Sequence, residues 1–225
     1  MAQFKSTSLA DQIFEKLEND IVFGVYARGE ILTEMMLAEQ LGVSRTPIRE
    51  ALHRLSQERL IEDAGKGMLV IGITQEGLRD IMDIRLRIEG LAAYYAAGNI
   101  TPDGIEELRH VLDLQDFYYS KGDLNRIREM DDSFHALLCK YSGRSVLEDT
   151  LLPLYRKTQR YRRASISDPQ RVLQVLAEHR RIFDSIVAKD ADLAEKLTTE
   201  HVQNAKKNML ERTKDDGTDN CAKNH

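Results

Sequence analysis

The chain has 225 residues, of which 42% are hydrophobic and 31% charged, with only 4 Pro and 13 Gly. That composition fits one or two globular domains rich in helix, and it excludes disordered, collagen-like and low-complexity classes. The formal net charge of −5 argues against a protein that coats nucleic acid without regard to sequence, although it leaves room for a local basic face. No apolar run approaches the roughly 20 residues that cross a bilayer. The opening MAQFKSTSLADQIFEKLEND is charged where a secretory signal would be apolar, so a cytoplasmic protein is expected. Cys139 and Cys221 make no disulfide framework and read as free thiols.

In chain order, the first elements are three short helical segments. They are marked by Leu9, Ile13, Leu17 and Ile21, then by Met36, Leu37, Gln40 and Leu41, then by Ile48, Leu52 and Leu55. A hairpin follows, in which two apolar runs flank Ala64-Gly65-Lys66-Gly67 and the glycines supply the turn. Three helices and a two-stranded wing are the outline of a winged helix-turn-helix, here assigned to residues 1–73 as a DNA-binding domain. Beyond Thr74 the pattern is helical, interrupted at Gly98-Asn99, Lys121-Gly122-Asp123, Ser142-Gly143, Ser167-Asp168-Pro169 and Lys189-Asp190. These breaks predict six helices, over about 75–97, 102–120, 124–141, 144–165, 169–188 and 190–212. The fold class is therefore mostly α. A winged helix-turn-helix precedes an all-α bundle over 74–212, and residues 213–225 read as a disordered polar tail.

The segment LAEQLGVSRTPIREALHRL, residues 37–55, carries the sharpest local signal. Gly42 permits a turn, Ser44 is placed to cap the next helix, and Pro47 lies in its first turn, where a missing N–H costs little. Arg45 and Arg49 are four apart and share a face opposite Ile48, Leu52 and Leu55. Two guanidiniums near a helix N-terminus suit guanine edges and phosphates in a major groove; the alternative is an ordinary solvated face. Residues 1–73 hold eight Lys or Arg against eleven Asp or Glu, so a DNA footprint has to be narrow. Lys66 at the wing tip is placed for a phosphate or a minor groove.

VSRTPIREALHRL followed by LIEDAGKG resembles the DNA-binding domain of the GntR family of bacterial transcription regulators, over residues 9–73. The resemblance implies that Ser44, Arg45, Thr46 and Arg49 of the recognition helix, with Gly65, Lys66 and Gly67 at the wing tip, contact operator DNA. Met35 stands where some members place an arginine, and Ala27-Arg28-Gly29 where Pro-Gly is usual.

Of the six histidines, His53, His110 and His225 have no evident partner. Asp131 and His135 are spaced i, i+4, which puts a carboxylate and an imidazole on one helix face, the geometry of a two-ligand metal clip. His179 lies on the apolar face of Val175, Leu176, Ile182, Phe183 and Ile186; His201 sits among Ala194, Leu197 and Ala205. Each alone reads as a satisfied core histidine, whereas together with Asp131 they would supply four ligands and leave positions open for water or a substrate oxygen. Arg85 falls within the apolar stripe of Leu78, Ile81, Met82, Ile88, Ala92 and Tyr95, and a buried guanidinium requires an anion. An internal carboxylate and a ligand carboxylate both meet that need.

The helical segment is similar to the FCD-type ligand-binding domain of the FadR subfamily, through IRLRIEGLAAYYAA, DDSFHALL and EHRRIFDSIVAKDADLAEKLTTEH. That resemblance, over about 75–212, implies that Asp131, His135, His179 and His201 bind one divalent metal ion, zinc first, then nickel or manganese. It implies a small organic acid as effector, with Arg85 and Asn204 lining its pocket, and Ser142-Gly143-Arg144 departs from the usual Gly-Asn. The expected protein is a ligand-responsive transcription regulator, a repressor and a homodimer, bound to operator DNA and to no membrane. Two rivals are a DNA-binding regulator with a structural metal or none, and a metal-dependent enzyme.

Overall fold

A computed structural model of the chain describes residues 8–216, with side chains through Glu211. Cys221 and His225 lie outside the described residues. The chain divides into two compact units that part between Thr74 and Gln75.

The first unit runs α1 (Leu9–Val22), β1 (Ile31–Leu32), α2 (Glu34–Leu41), α3 (Arg45–Gln57), β2 (Ile61–Asp63) and β3 (Met68–Val70). A capping box starts α1: Asp11 N–H donates to Ser8 Oγ at 3.1 Å and Ser8 N–H to Asp11 Oδ2 at 3.0 Å. Ile13, Phe14, Leu17 and Ile21 of α1 share one core with Ile48, Ala51, Leu52 and Leu55 of α3, whereas Leu9 is exposed. Gly42, at φ 66°, ends α2 and makes the turn into α3. The wing is a three-stranded antiparallel sheet of order β1-β3-β2, not the two-stranded hairpin expected. The added strand is only Ile31–Leu32, paired with Leu69 and Met68, and two residues carry no alternation to read. Gly67 is obligatory at its tip, because a Cβ there would lie 2.7 Å from Ile31 Cγ2 and 2.8 Å from the Leu32 carbonyl oxygen.

The second unit consists of α4 (Gln75–Asn99), α5 (Pro102–Lys121), α6 (Leu124–Ser142), α7 (Ser145–Ser165), α8 (Pro169–Val187) and α9 (Ala191–Asp216). The punctuation is local. Thr101 Oγ1 accepts from Gly104 N–H ahead of Pro102, Gly122 and Gly143 close α5 and α6 in left-handed conformation, and Asp168 caps α8. Helix α9 continues to Asp216, past residue 212 where a tail was expected. A core of Ala93, Leu108, Phe134, Leu138, Ile182 and Leu197, among others, joins α4, α5, α6, α8 and α9. Helices α4 and α9 approach closely at Gly90, where a Cβ would meet Thr199 Oγ1 at 2.7 Å. No helix among the described residues is long and apolar enough to cross a membrane.

Candidate DNA interface and buried histidine cluster

In the first unit, Ser44, Arg45, Thr46 and Arg49 all lie exposed on α3, with Ile48, Leu52 and Leu55 turned inward. Ser44 occupies the N-cap position but its side chain makes no cap hydrogen bond, contrary to the capping role expected for it. A cleft of about 680 Å³ runs between α3 and the wing, bordered by Met35, Arg45, Arg49, His53 and Lys66. Gly65 and Gly67 line it too, and Asp63 Oδ1 accepts from Gly65 N–H at 2.8 Å to shape the turn. The sequence reading passed over Glu34, whose carboxylate accepts from Arg49 Nε at 2.8 Å and from Arg45 Nη2 at 2.8 Å. The two guanidiniums hold the Glu34 carboxyl down at about 2. Both arginines thus present charge to solvent while tethered to one acid. Arg54 turns away from this face, pairing with Asp11 at 2.6 Å and covering the Phe14 ring.

In the second unit, α6, α8 and α9 bring Asp131, His135, His179 and His201 together, each at most 3% exposed. The ring nitrogens available for ligation on the three histidines lie within 4.8 Å of one another. His135 Nε2 is 3.3 Å from His201 Nε2, and Asp131 Oδ1 lies 3.7 Å from His179 Nε2 and 4.0 Å from His135 Nε2. Ligand atoms about 2.1 Å from one ion are spaced roughly 3.4 Å apart in a tetrahedron, which the His135–His201 and Asp131–His179 separations approach; the converging group is the three histidines, with Asp131 at its edge. His53 and His110 are exposed and stand outside the cluster.

Each ring faces a polar side chain at Nδ1, and those of His179 and His201 are hydrogen-bonded there. His135 Nδ1 is 2.8 Å from Glu89 Oε1, His179 Nδ1 is 3.2 Å from Gln115 Oε1, and His201 Nδ1 is 2.7 Å from Glu178 Oε2. A carboxylate only accepts, so the hydrogen-bonded Nδ1 of His201 carries the proton and its Nε2 presents a lone pair, whereas His135 Nδ1, though close to Glu89, makes no hydrogen bond. The His201 lone pair meets His135 Nε2 at 3.3 Å, and His179 Nε2 is buried without a hydrogen-bond partner. A shared cation relieves both. Burial lowers the pKa of His135 and carries that of His179 far below its ordinary value, which keeps both rings neutral and fit to ligate. Burial pushes Glu89 and Glu178 up, but contacts with a neighbouring guanidinium and imidazole prevail. Arg85 and His135 hold Glu89 well below the carboxylate range, and His201 and Arg171 hold Glu178 at about 2.

Arg85 is 1% exposed, and its need for an anion is met inside the protein: Nε donates to Glu89 Oε2 at 2.9 Å and Nη1 to Thr158 Oγ1 at 3.1 Å. Asn204 is exposed and does not border the cavity beside the histidines; it donates to Glu178 Oε1 at 2.8 Å. That cavity, bordered by Arg85, Asp131, His135, Arg162, Arg171 and His201 among others, measures about 10 Å³. Glu89, Gln115, Glu178 and Arg162 were missed from sequence. Glu89 alone left a signal, four residues after Arg85 on the same stripe.

An exposed arginine pair on the second helix of a winged helix-turn-helix, followed by a helical second unit that buries a histidine cluster, points to a DNA-binding regulator. Comparison with known proteins gives the family. Residues 9–70 match bacterial regulatory proteins of the gntR family and residues 80–204 match the FCD domain. The chain belongs to the GntR family, carries an FCD domain, and is a transcription regulator rather than an enzyme. It is 31% identical to the HTH-type transcriptional repressor RspR of Escherichia coli K12 over 85% of each chain. It is 28% identical to the gluconate operon transcriptional repressor of Bacillus licheniformis, over 79% of this chain and 75% of that one. It shares its fold with E. coli McbR/YncC, at TM-score 0.77 and 24% identity over 92% of this chain and 99% of that one.

Proposed function

We propose that the protein is a repressor of the FadR subfamily that acts as a homodimer and senses a small organic acid through one divalent metal ion per chain. The observation that carries this reading is the convergence of three buried histidines, with Asp131 Oδ1 3.7 Å from His179 Nε2 and with His179 and His201 hydrogen-bonded at Nδ1. Asp131, His135, His179 and His201 hold the ion, zinc first, with nickel or manganese as alternatives for this nitrogen-rich set. The metal supplies Lewis acidity toward a carboxylate or hydroxyl oxygen. Arg85 and Asn204 support the pocket through Glu89 and Glu178, which orient His135 and His201.

On DNA, Ser44, Arg45, Thr46 and Arg49 enter the major groove while Gly65, Lys66 and Gly67 follow the backbone beside it. Two heads on a short palindrome multiply the affinity of one. Both named relatives are repressors by their printed names, which sets the sign of regulation proposed here. The cavity of about 10 Å³ holds one water or ion, so an acid enters only as its walls move apart. Widening gives the ligand its differential affinity for one conformation, and DNA affinity changes by that difference and no more.

The small cavity also favours a second reading, a closed structural metal. The test is fluorescence anisotropy on an operator fragment selected with the purified protein, comparing zinc-loaded wild type with His179→Ala across a panel of organic acids. Sensing predicts that at least one acid shifts operator affinity in wild type and none does in the variant. A variant that simply melts far lower, with no acid affecting wild type, supports the structural reading instead.

A further inference from the structure

Three buried guanidiniums, Arg85, Arg162 and Arg171, border the cavity beside the histidines, and they differ in what they have left to give. Arg85 is saturated by Glu89, Thr158 and Met82 Sδ. Arg171 spends its two terminal nitrogens on Glu178, at 3.0 and 3.2 Å, and keeps only Nε. Arg162, on the last turn of α7 and 5% exposed, directs Nη1 to Asp132 Oδ1 at 2.9 Å and Asp131 Oδ2 at 3.3 Å. Its Nε and Nη2 are buried and have no partner.

Those two nitrogens form one edge of the guanidinium, whose parallel N–H bonds match the two oxygens of a carboxylate. Buried donors are nearly always satisfied, so this edge calls for an acceptor, either a water or a ligand oxygen. The Tyr155 ring, 5.2 Å from the guanidinium carbon, and Asp132 fix the plane of the group from other sides. Asp132 in turn accepts from Gln159 Nε2 at 2.7 Å. Arg162 borders the same cavity as Asp131, His135 and His201.

We propose that Arg162 is the carboxylate anchor of this cavity, taking a small organic acid on its Nε–Nη2 edge with Arg171 Nε as a third donor. The proposal rests on the sensing reading above and names the residue that recognises the acid's charge. Arg85, which the resemblance singles out, serves the fold and the His135 support instead. The ligand is an organic anion with one carboxylate on Arg162 and a second oxygen donor toward Asp131 and the histidines, admitted as the walls of the cavity part.

The test follows the arginine Nε–Hε resonances of full-length, zinc-loaded protein by ¹⁵N NMR while acetate, malonate, succinate and citrate are added. Calorimetry of the same titrations on Arg162→Lys and Arg85→Lys runs beside it. At least one acid is expected to move the Arg162 Hε signal and to bind Arg162→Lys about ten-fold or more weakly, with Arg85→Lys near wild type. An Arg162 signal unmoved by every acid overturns the assignment, and the wild-type spectrum reads this even where a variant fails to fold. Equal affinity in a folded Arg162→Lys overturns it as well. Zinc uptake is measured on each sample. A wild type that takes up no zinc yet shows the Arg162 shift refutes the metal reading and keeps the anchor, whereas zinc bound with Arg162 silent does the reverse.

Discussion

Replacing Arg85 by Met separates the structural role of this arginine from a ligand-binding one. Arg85 and Glu89 are each 1% exposed and joined at 2.9 Å, with His135 Nδ1 2.8 Å from the other carboxylate oxygen. Met fills much of the same space against Tyr155 but leaves Glu89 without its guanidinium. Breaking a buried pair from one side costs about 3–5 kcal/mol, a large share of the roughly 5–15 kcal/mol that a whole domain has. For a unit of this size that corresponds to a drop of roughly 6–20 °C in melting temperature. The loss also has a pH signature. In wild type the Glu89 carboxyl is held below its ordinary value of 4.5, so its contribution is present above that value and fades as pH falls. In the variant only burial acts strongly, the folded carboxyl takes up a proton more readily than the unfolded one, and the deficit against wild type shrinks toward acid pH. Urea titrations followed by helical circular dichroism at about pH 4 and about pH 8 measure this. Arg85→Met/Glu89→Met is expected to recover most of the stability, because removing both partners of a buried pair is close to neutral. The double variant is expected to bind metal about 10–100-fold more weakly, since His135 has lost its support. An Arg85→Met protein within about 1 kcal/mol of wild type at both pH values refutes the reasoning.

On the DNA side, Glu34→Gln releases Arg45 and Arg49 from their shared carboxylate and removes a negative charge from the recognition face. Operator affinity is expected to rise several-fold and the slope of log K against log salt to steepen, both read by anisotropy across a sodium chloride series. Weaker binding would mean that Glu34 positions the arginines for DNA instead of competing with it. Cys139 is fully buried near Tyr155, and burial pushes its thiol up to about 12. Because that value lies above the ordinary 9.0, the stability it reports is complete below pH 9 and is lost only as pH rises beyond it. With Cys221 changed to Ser, Ellman's reagent is expected to label no thiol in the native protein at pH 8 and one per chain in denaturant; rapid native labelling would contradict this burial.

What was legible in the sequence was local. Gly122, Gly143 and Asp168-Pro169 terminate or start helices through their own backbone needs, so the six-helix division of the second unit could be read directly. Asp131 and His135 share a helix face by spacing alone. Strand β1 was invisible because Ile31 and Leu32 are extended only by pairing with Leu69 and Met68, far along the chain. The support of the cluster was hidden for the same reason: Glu89, Gln115 and Glu178 reach their histidines through helix packing across α4, α5, α8 and α9. Burial of Arg85 followed from its apolar stripe, yet spacing could not choose between Glu89 and a ligand as its anion. Arg162 sits in a run of basic residues, YRKTQRYRR, that reads as a solvated face until α7 is packed.

Whether Asp131, His135, His179 and His201 hold a metal ion is settled by elemental analysis of protein purified without an affinity tag or added metal, beside an Asp131→Ala/His135→Ala variant. About one zinc, nickel or manganese ion is expected per wild-type chain and none in the folded variant. No metal in either protein, and none taken up on titration, would contradict it.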